Sequence, residues 1–427
     1  MITTWRYIMN YFSSLFNRKS KCEESISEQE LNSTVNINKD DQELLHEFAE
    51  KATTFSSICC EDSLRYQNSI MPEGDNVSNK KNGFGDSFDD EHFLVLRGSE
   101  HEGEIINLTV FSDKSLVPVK FLGSGGQGEV HLVQDECTQE KFALKIINQN
   151  SAARKYEREA LEFVTRYNPP SGMLMLDSLY ETDEFLLLLT CYAGGGNMRE
   201  IIPYLDQFSM ERRLEFVKPL LAELCISVDF LHSHNYVHRD IKASNCFMDT
   251  YGHLVLGDFG STIKRNQIKP RVIFGTVPYT IAPEMFQKVE YGTEVDWWAV
   301  GVLACELILG FFPFEWFTRE DIKSKDTVNQ VIINIRNPRL PKNLDSDILE
   351  LIKGFLHPDP RRRLGGISSG GLARIQRQKF FAGINWRKIK KGLNRQKPLP
   401  VLKLIRAIKR KNEKDLMKNK GDESNQN

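Results

Sequence analysis

Hydrophobic and polar positions alternate in two different rhythms along the chain. Between residues 105 and 190 the apolar residues form short runs, rich in β-branched types or strictly alternating. These are IINLTVF (105–111), LVPVKFL (116–122), EVHLV (129–133), KFALKII (141–147) and FLLLLT (185–190). Runs of that length and type predict strands. One stretch among them, Lys155 to Tyr167, repeats instead at helical spacing. From about residue 211 the helical period takes over, in RRLEFVKPLLAELCISVDFLHSH (212–234), VDWWAVGVLACELIL (295–309) and DSDILELIKGFL (345–356). The expected fold is α+β and bilobal: a small β-rich lobe followed by a larger helical one.

The two ends differ from this body. Residues 1–104 carry a net charge of −10, residues 105–381 of −2 and residues 382–427 of +10, within an overall −2. Residues 1–104 therefore read as an acidic, largely disordered extension, with a linker at 72–91 (PEGDNVSNKKNGFGDSFDDE) and ordered structure starting near Glu104. Near its start, Trp5, Ile8, Met9, Phe12, Leu15 and Phe16 recur at helical spacing over 4–17, followed by Arg18, Lys19 and Lys21. That stripe suits an amphipathic helix laid on an anionic membrane or an anchoring partner through residues 1–21, or one packed on the body. The body, 105–381, and the basic tail, 382–427, complete the division.

The uneven charge argues against a uniformly basic nucleic-acid binder. Eight cysteines occur without a C-x-x-C pair or zinc-ligand spacing, the usage of reduced thiols in a cytoplasmic protein. The longest apolar tract, Trp297 to Phe314, is preceded by Asp296 and interrupted by Glu306 and Pro313. It is too short and too charged to span a bilayer and reads as a buried core helix. Residues 1–21 are too polar and interrupted for a secretory signal.

Candidate chemistry begins at Gly123-Ser124-Gly125-Gly126-Gln127-Gly128-Glu129-Val130. Glycines let backbone N–H groups approach phosphate oxygens, because no Cβ intervenes. A dinucleotide site would run from this turn into a helix. Here Glu129–Val133 alternates, so the turn joins strand to strand. Lys145 ends the next strand, where a cation can pair with ATP phosphates. His238-Arg239-Asp240-Ile241-Lys242-Ala243-Ser244-Asn245 groups a carboxylate able to accept a hydroxyl proton, a cation able to neutralise a moving phosphoryl group and an amide oxygen for a hard cation. Asp258-Phe259-Gly260 adds a second hard oxygen, and Ala282-Pro283-Glu284 follows.

In this order these elements resemble the eukaryotic protein kinases over roughly residues 110–400. The resemblance implies ATP in the cleft between the lobes, Mg2+ on Asn245 and Asp258, and protein Ser/Thr hydroxyls as substrates. Leu122 through Val130, with Ala143 and Lys145, would bound the nucleotide. Asp240 would be the catalytic base, Lys242 would stabilise the γ-phosphoryl group, and a helix glutamate would hold Lys145. Glu157 suits that role because Ala160, Leu161 and Val164 follow it at helical offsets; Glu159 is the alternative. Thr276 would hydrogen-bond near Asp240, Arg239 would contact the activation segment, and Glu284 would pair with Arg363. Lys242 and Gly275-Thr276 match the serine/threonine type. Val295-Asp296-Trp297-Trp298, Arg362-Arg363-Leu364-Gly365, Lys379–Trp386 and Pro398-Leu399-Pro400 resemble the AGC kinases, in the myotonic-dystrophy-kinase-like or cyclic-GMP-dependent-kinase-like branch.

Departures stand beside the matches. Residues 401–427 contain no Phe, so the Phe-x-x-Phe ending of AGC tails is missing. Ala243 and Ser244 replace the usual Pro and Glu, whereas the acidic Glu306 is kept. Residues 263–275 contain no Ser, Thr or Tyr, and Val272 occupies the usual phosphorylation position. The rival expectation is a pseudokinase scaffold without turnover, although the Lys and both Asp that such proteins often lose are all present.

Overall fold

The computed structural model describes residues 92–97, 103–125, 128–151, 153–268, 280–287, 289–314 and 332–393. The helix expected at 4–17, the tail beyond 393, Gly126, Gln127, Val272 and Thr276 lie outside these residues.

The small lobe is built on a five-stranded antiparallel sheet. Its strands are β3 (Leu116–Gly125), β4 (Gly128–Asp135), β5 (Lys141–Asn148), β6 (Leu176–Glu181) and β7 (Phe185–Cys191), in the spatial order β3-β4-β5-β7-β6. Alternation sends Phe142, Leu144 and Ile146 of β5 to one face and Ala143, Lys145 and Ile147 to the other. Helix α1 (Ala153–Arg166) follows β5, and its buried Ala160, Leu161 and Val164 join Ile147, Leu186 and Leu188 in the main core.

The opposite, outer face of the sheet is covered by an antiparallel hairpin of β1 (Phe93–Val95) and β2 (Ile105–Asn107). Leu94, Leu96, Ile106, Leu108 and Phe111 bury themselves there against Val133, Phe142, Leu144, Ile146, Phe185, Leu187 and Leu189. Burying five such side chains contributes on the order of 10 kcal/mol before the entropy of ordering the segment is subtracted. Among the described residues regular structure is present from Phe93, inside the stretch read from the sequence as the N-terminal extension. The strand expected over 105–111 also ends early. Asn107 Oδ1 accepts the Thr109 N–H at 2.9 Å and its hydroxyl at 2.8 Å, turning the chain into a 3-10 turn at Leu108–Val110.

The large lobe is helical. Helices α2 (Met198–Leu205) and α3 (Met210–Ser233) lead into it, α2 capped by Asn197 and α3 by Ser209. Helix α4 (Pro283–Phe286) precedes α5 (Glu294–Leu309). Helix α5 is apolar all round because it is buried on every side, as the tract at 297–314 suggested. Helix α6 (Ser346–Phe355) packs so closely on it that a Cβ on Gly301 would lie 2.7 Å from Phe355 Cβ. Short helices α7 (Gly371–Gln376) and α8 (Trp386–Lys390) close the lobe. Among the described residues, two short antiparallel pairs shape the loops between: β8 (Tyr236–Val237) with β11 (Ile263–Lys264), and β9 (Cys246–Met248) with β10 (Leu254–Leu256). Among the described residues no helix is long and apolar enough to cross a membrane.

Candidate active site

The glycine turn joins β3 to β4 strand to strand, with Ser124 opposite Glu129 and Gly125 opposite Gly128. Gly128 is required by geometry. Its φ is +133°, and a Cβ there would sit 2.1 Å from the Ile146 carbonyl oxygen. Val130 and Lys145 are cross-strand partners, as are Leu132 and Ala143, so Val130, Ala143 and Lys145 share one half-buried face. Leu122 is half-buried on the stem of the turn, and Ser124 and Gly125 are exposed at its tip. Glu129, grouped by sequence with the nucleotide-facing residues, has its side chain on the opposite face. The reason is alternation: Glu129 pairs with Ile146, an outer-face residue.

Lys145 is the meeting point of three elements. Its Nζ lies 2.8 and 2.6 Å from the two carboxylate oxygens of Glu157 on α1, and 2.9 Å from Asp258 Oδ1. Burial alone would lower the lysine pKa, but the Asp258 and Glu157 carboxylates outweigh it and raise the value above its ordinary one. Burial pushes the Glu157 carboxyl up to about 7 despite the pull of Lys145. Asp258 responds in the other direction: burial opposes its charge, yet Lys145 holds it below the usual carboxylate range. One ammonium between two buried carboxylates leaves an excess negative charge, and Glu157, 3% exposed, carries its cost. Glu159 is left on the helix surface, where its ion-pair partner among the described residues is Lys155 at 3.9 Å. Of the two candidates, Glu157 is therefore the one that meets Lys145.

Asp240 sits 2% exposed in a loop gripped from below. Asp296, fully buried in the first turn of α5, accepts the backbone N–H groups of Arg239 on Oδ1 (2.7 Å) and His238 on Oδ2 (2.8 Å). The same Oδ2 is 2.8 Å from His232 Nε2. That grip holds Arg239 at φ +65°, a left-handed conformation costly for a non-glycine residue. Lys242 Nζ donates to Asp240 Oδ2 at 2.9 Å, and Asn245 Nδ2 donates to the same oxygen at 3.0 Å and to the Asp240 carbonyl at 2.9 Å. Asp240 Oδ1 has no hydrogen-bond partner among the described residues. Burial raises the Asp240 pKa, with Lys242 countering. The Arg239 guanidinium donates to the Ser261 carbonyl at 2.8 Å, and the His238 ring packs on Phe259 at 5.5 Å, tying this loop to the segment after Asp258.

Hard oxygens face the question of a cation. Asn245 turns its amide nitrogen to Asp240, and among the described residues Oδ1 then has a long contact from Ser244 Oγ at 3.4 Å. Asp258 engages Lys145 through Oδ1 and keeps a second carboxylate oxygen. A carboxylate and an amide oxygen, with no thiol or imidazole, fit Mg2+.

Two features were not singled out from the sequence. In the sequence Asp296 reads as the charge before an apolar tract and as a member of the Val295–Trp298 motif, with no partner indicated, and His232 as part of a helix. The available signal was an acid inside a fully buried helix, which must be paired to be tolerated there. Behind the site, Arg363 and Glu284 pair as expected, at 2.6 and 2.9 Å, in a bidentate contact. The fully buried guanidinium also donates to the carbonyls of Glu294 (2.8 Å) and His357 (3.1 Å) and lies 5.1 Å over the Trp298 ring.

Residues 116–381 match the protein kinase domain family. The chain is 31% identical over 310 residues to a probable serine/threonine-protein kinase of Dictyostelium discoideum. It is 30% identical over 283 residues to protein kinase C zeta type of Oryctolagus cuniculus, and 29% over 295 residues to a serine/threonine-protein kinase of Arabidopsis thaliana. These alignments take in 70%, 63% and 67% of this chain and 64%, 46% and 60% of the relatives' own lengths. The chain thus spans less than two thirds of each of these curated relatives.

Proposed function

Because the chain belongs to the protein kinase family, we propose that it is an ATP- and Mg2+-dependent serine/threonine kinase that moves the γ-phosphoryl group of ATP to protein hydroxyls. Catalysis of this kind is mostly positioning and electrostatics. The turn 123–128 covers the phosphates with backbone N–H groups, flanked by Leu122, Val130 and Ala143. Lys145, steadied by Glu157, orients the phosphates. Asn245 and Asp258 would hold Mg2+, which when bound spreads the charge of the phosphates. Asp240 positions the substrate hydroxyl and takes its proton on Oδ1, the oxygen that no described residue occupies. Its raised pKa makes it the stronger base for that step. Lys242, already on Asp240 Oδ2, lies close enough to neutralise the transferring group.

The single observation that carries the reading is Asp240 itself: a buried carboxylate with one oxygen held by Lys242 and Asn245 and the other without a described partner. Asp240→Asn should cut peptide phosphorylation by ~10²–10⁴-fold while Mg·ATP still binds. Asp258→Ala should instead weaken Mg·ATP binding. Near-normal peptide phosphorylation by Asp240→Asn would refute the assignment and favour a scaffold role.

Finer points belong to the same proposal. An AGC-like branch is supported by the motifs around Trp297 and Trp386 and by the likeness to protein kinase C zeta type. Glu306 keeps the acidic position at which AGC-like kinases would meet a basic substrate residue; burial pushes its carboxyl up to about 8 against Arg199, so near neutral pH it would take up its charge only as such a residue docks. Residues 1–21 would attach a cytoplasmic enzyme to anionic membranes or to an anchoring partner. Deleting them should release the full chain from phosphatidylserine vesicles, and unchanged co-sedimentation would exclude the membrane arm.

A further inference from the structure

The hairpin β1–β2 precedes the segment that matches the kinase family, which starts at residue 116. Its pairing continues one residue past β1: Leu96 N–H donates to the Glu104 carbonyl at 2.8 Å, and Gly103 N–H to the Leu96 carbonyl at 3.0 Å. The next residue reaches across to the sheet. Arg97 donates its backbone N–H to Glu129 Oε2 at 3.1 Å. The same oxygen lies 3.1 Å from His131 Nε2, two residues along β4 on the same face. The His131 ring meets Phe121 of β3 edge-on at 5.2 Å, so the contact braces both stems of the glycine turn.

Glu129 is 7% exposed and directly follows Gly128. A carboxylate buried to that depth is tolerated only while hydrogen-bonded. If either the hairpin or the turn shifts, Glu129 loses the Arg97 N–H inside a nearly dry site. The five apolar anchors under the hairpin oppose such a shift from its side.

We propose that the hairpin is a clamp on the phosphate-facing turn and that Glu129 is its positioning residue. Acting from the face opposite Lys145, it fixes the two strands that carry the turn, β3 up to Gly125 and β4 from Gly128, and thereby sets the affinity for the ATP phosphates. The inference rests on reading that turn as the nucleotide site.

The full-length chain carries the test. Glu129→Ala is expected to raise KM for Mg·ATP about tenfold with kcat changed less than about threefold, the signature of lost positioning before chemistry. Glu129→Gln keeps an oxygen for the Arg97 N–H and should recover most of the affinity. Leu96→Ala loosens the hairpin without touching the turn; it should raise KM in the same direction, and adding it to Glu129→Ala should raise KM no further. Amide hydrogen exchange over residues 121–133, measured without nucleotide, should quicken in each Ala variant. Additive KM effects in the double variant, or unchanged KM and exchange in Glu129→Ala, would overturn the clamp. A wild-type chain that phosphorylates no Ser/Thr peptide library would sink the kinase reading instead, and the exchange measurement would still decide the clamp.

Discussion

Replacing Asp296 by Asn asks how the loop carrying Asp240 is held. The two side chains are nearly isosteric, so no cavity opens. The acid, however, offers acceptors on both sides: Oδ1 to the Arg239 N–H at 2.7 Å, Oδ2 to the His238 N–H and the His232 ring, both at 2.8 Å. An amide has one acceptor oxygen. With that oxygen toward Arg239, the NH2 group faces the His238 N–H; His232 can change tautomer and accept from it, but His238 cannot. With the amide flipped, the Arg239 N–H is the one left facing a donor. Losing a charge-assisted hydrogen bond costs ~1.5–3 kcal/mol and stranding a buried donor ~1–3 kcal/mol, for a total of about 2.5–6 kcal/mol. That is a large part of a typical folding stability of roughly 5–15 kcal/mol. The left-handed backbone at Arg239 loses its restraint at the same time. Urea unfolding should therefore show a lower midpoint with an unchanged slope. In the folded fraction kcat should fall more than KM for ATP rises, because Lys145 and the glycine turn stand on other elements. A stability loss below about 1 kcal/mol, or an unaltered kcat, would refute the argument.

Three further outcomes are expected. Glu157 must be ionised to hold Lys145, and burial sets its pKa at about 7, so kcat/KM for ATP should fall as pH drops from about 8 to about 6; Glu157→Gln should lose that acidic limb, and a wild-type profile flat across this range would contradict the assignment. Gly128→Ala forces a Cβ against the Ile146 carbonyl at an unfavourable φ, so it should lower Tm by several degrees, for a cost of about 2–3 kcal/mol; an unshifted melting curve would show that the turn can give way. Residues 263–275 offer no hydroxyl to phosphorylate, so phosphatase-treated protein should phosphorylate peptide at the untreated rate, and a large loss mapped to residues 258–284 would be the contrary result.

The sequence was most legible where chemistry demands particular residues at particular spacings. The glycine turn, Lys145, the His238–Asn245 loop and Asp258 were found by motif, and the long helices α3, α5 and α6 by period. The helical offsets of Ala160, Leu161 and Val164 favour Glu157 over Glu159 as the partner of Lys145 without deciding between them, and the buried face of α1 repeats those offsets. What escaped has a common physical cause. A strand of three residues such as β1 carries too little alternation to stand out from an acidic, turn-rich background, and β2, inside the strand expected over 105–111, is cut to three residues by the Asn107 turn. Edge strand β6, half-exposed along LDSLYE, shows no clean period either. Asp296 and the Glu129–His131 pair act through contacts with residues far along the chain, to Arg239 and to Arg97, and no local pattern announces a partner at that distance.

The buried Arg363 has a consequence for how this chain can vary. The backbone leaves the large lobe's core at β11, paired to β8, and returns at α4, where Glu284 is bound to Arg363 from both carboxylate oxygens. Arg363 is itself fastened to Trp298, Glu294 and His357, so the return point is secured from a different part of the sequence than the departure point. Both described ends of the segment between are thus held by contacts from outside it. Lengthening such a loop costs only about 0.6 kcal/mol for each doubling. Ile268 packs against the core at one end and Ile281 is buried in it at the other, so changes of length or composition confined to residues 269–279 should leave the catalytic loop on one side and the helical core on the other in place. A stretch without phosphorylatable residues, as this chain has, is one of many contents that this pair of anchors would tolerate.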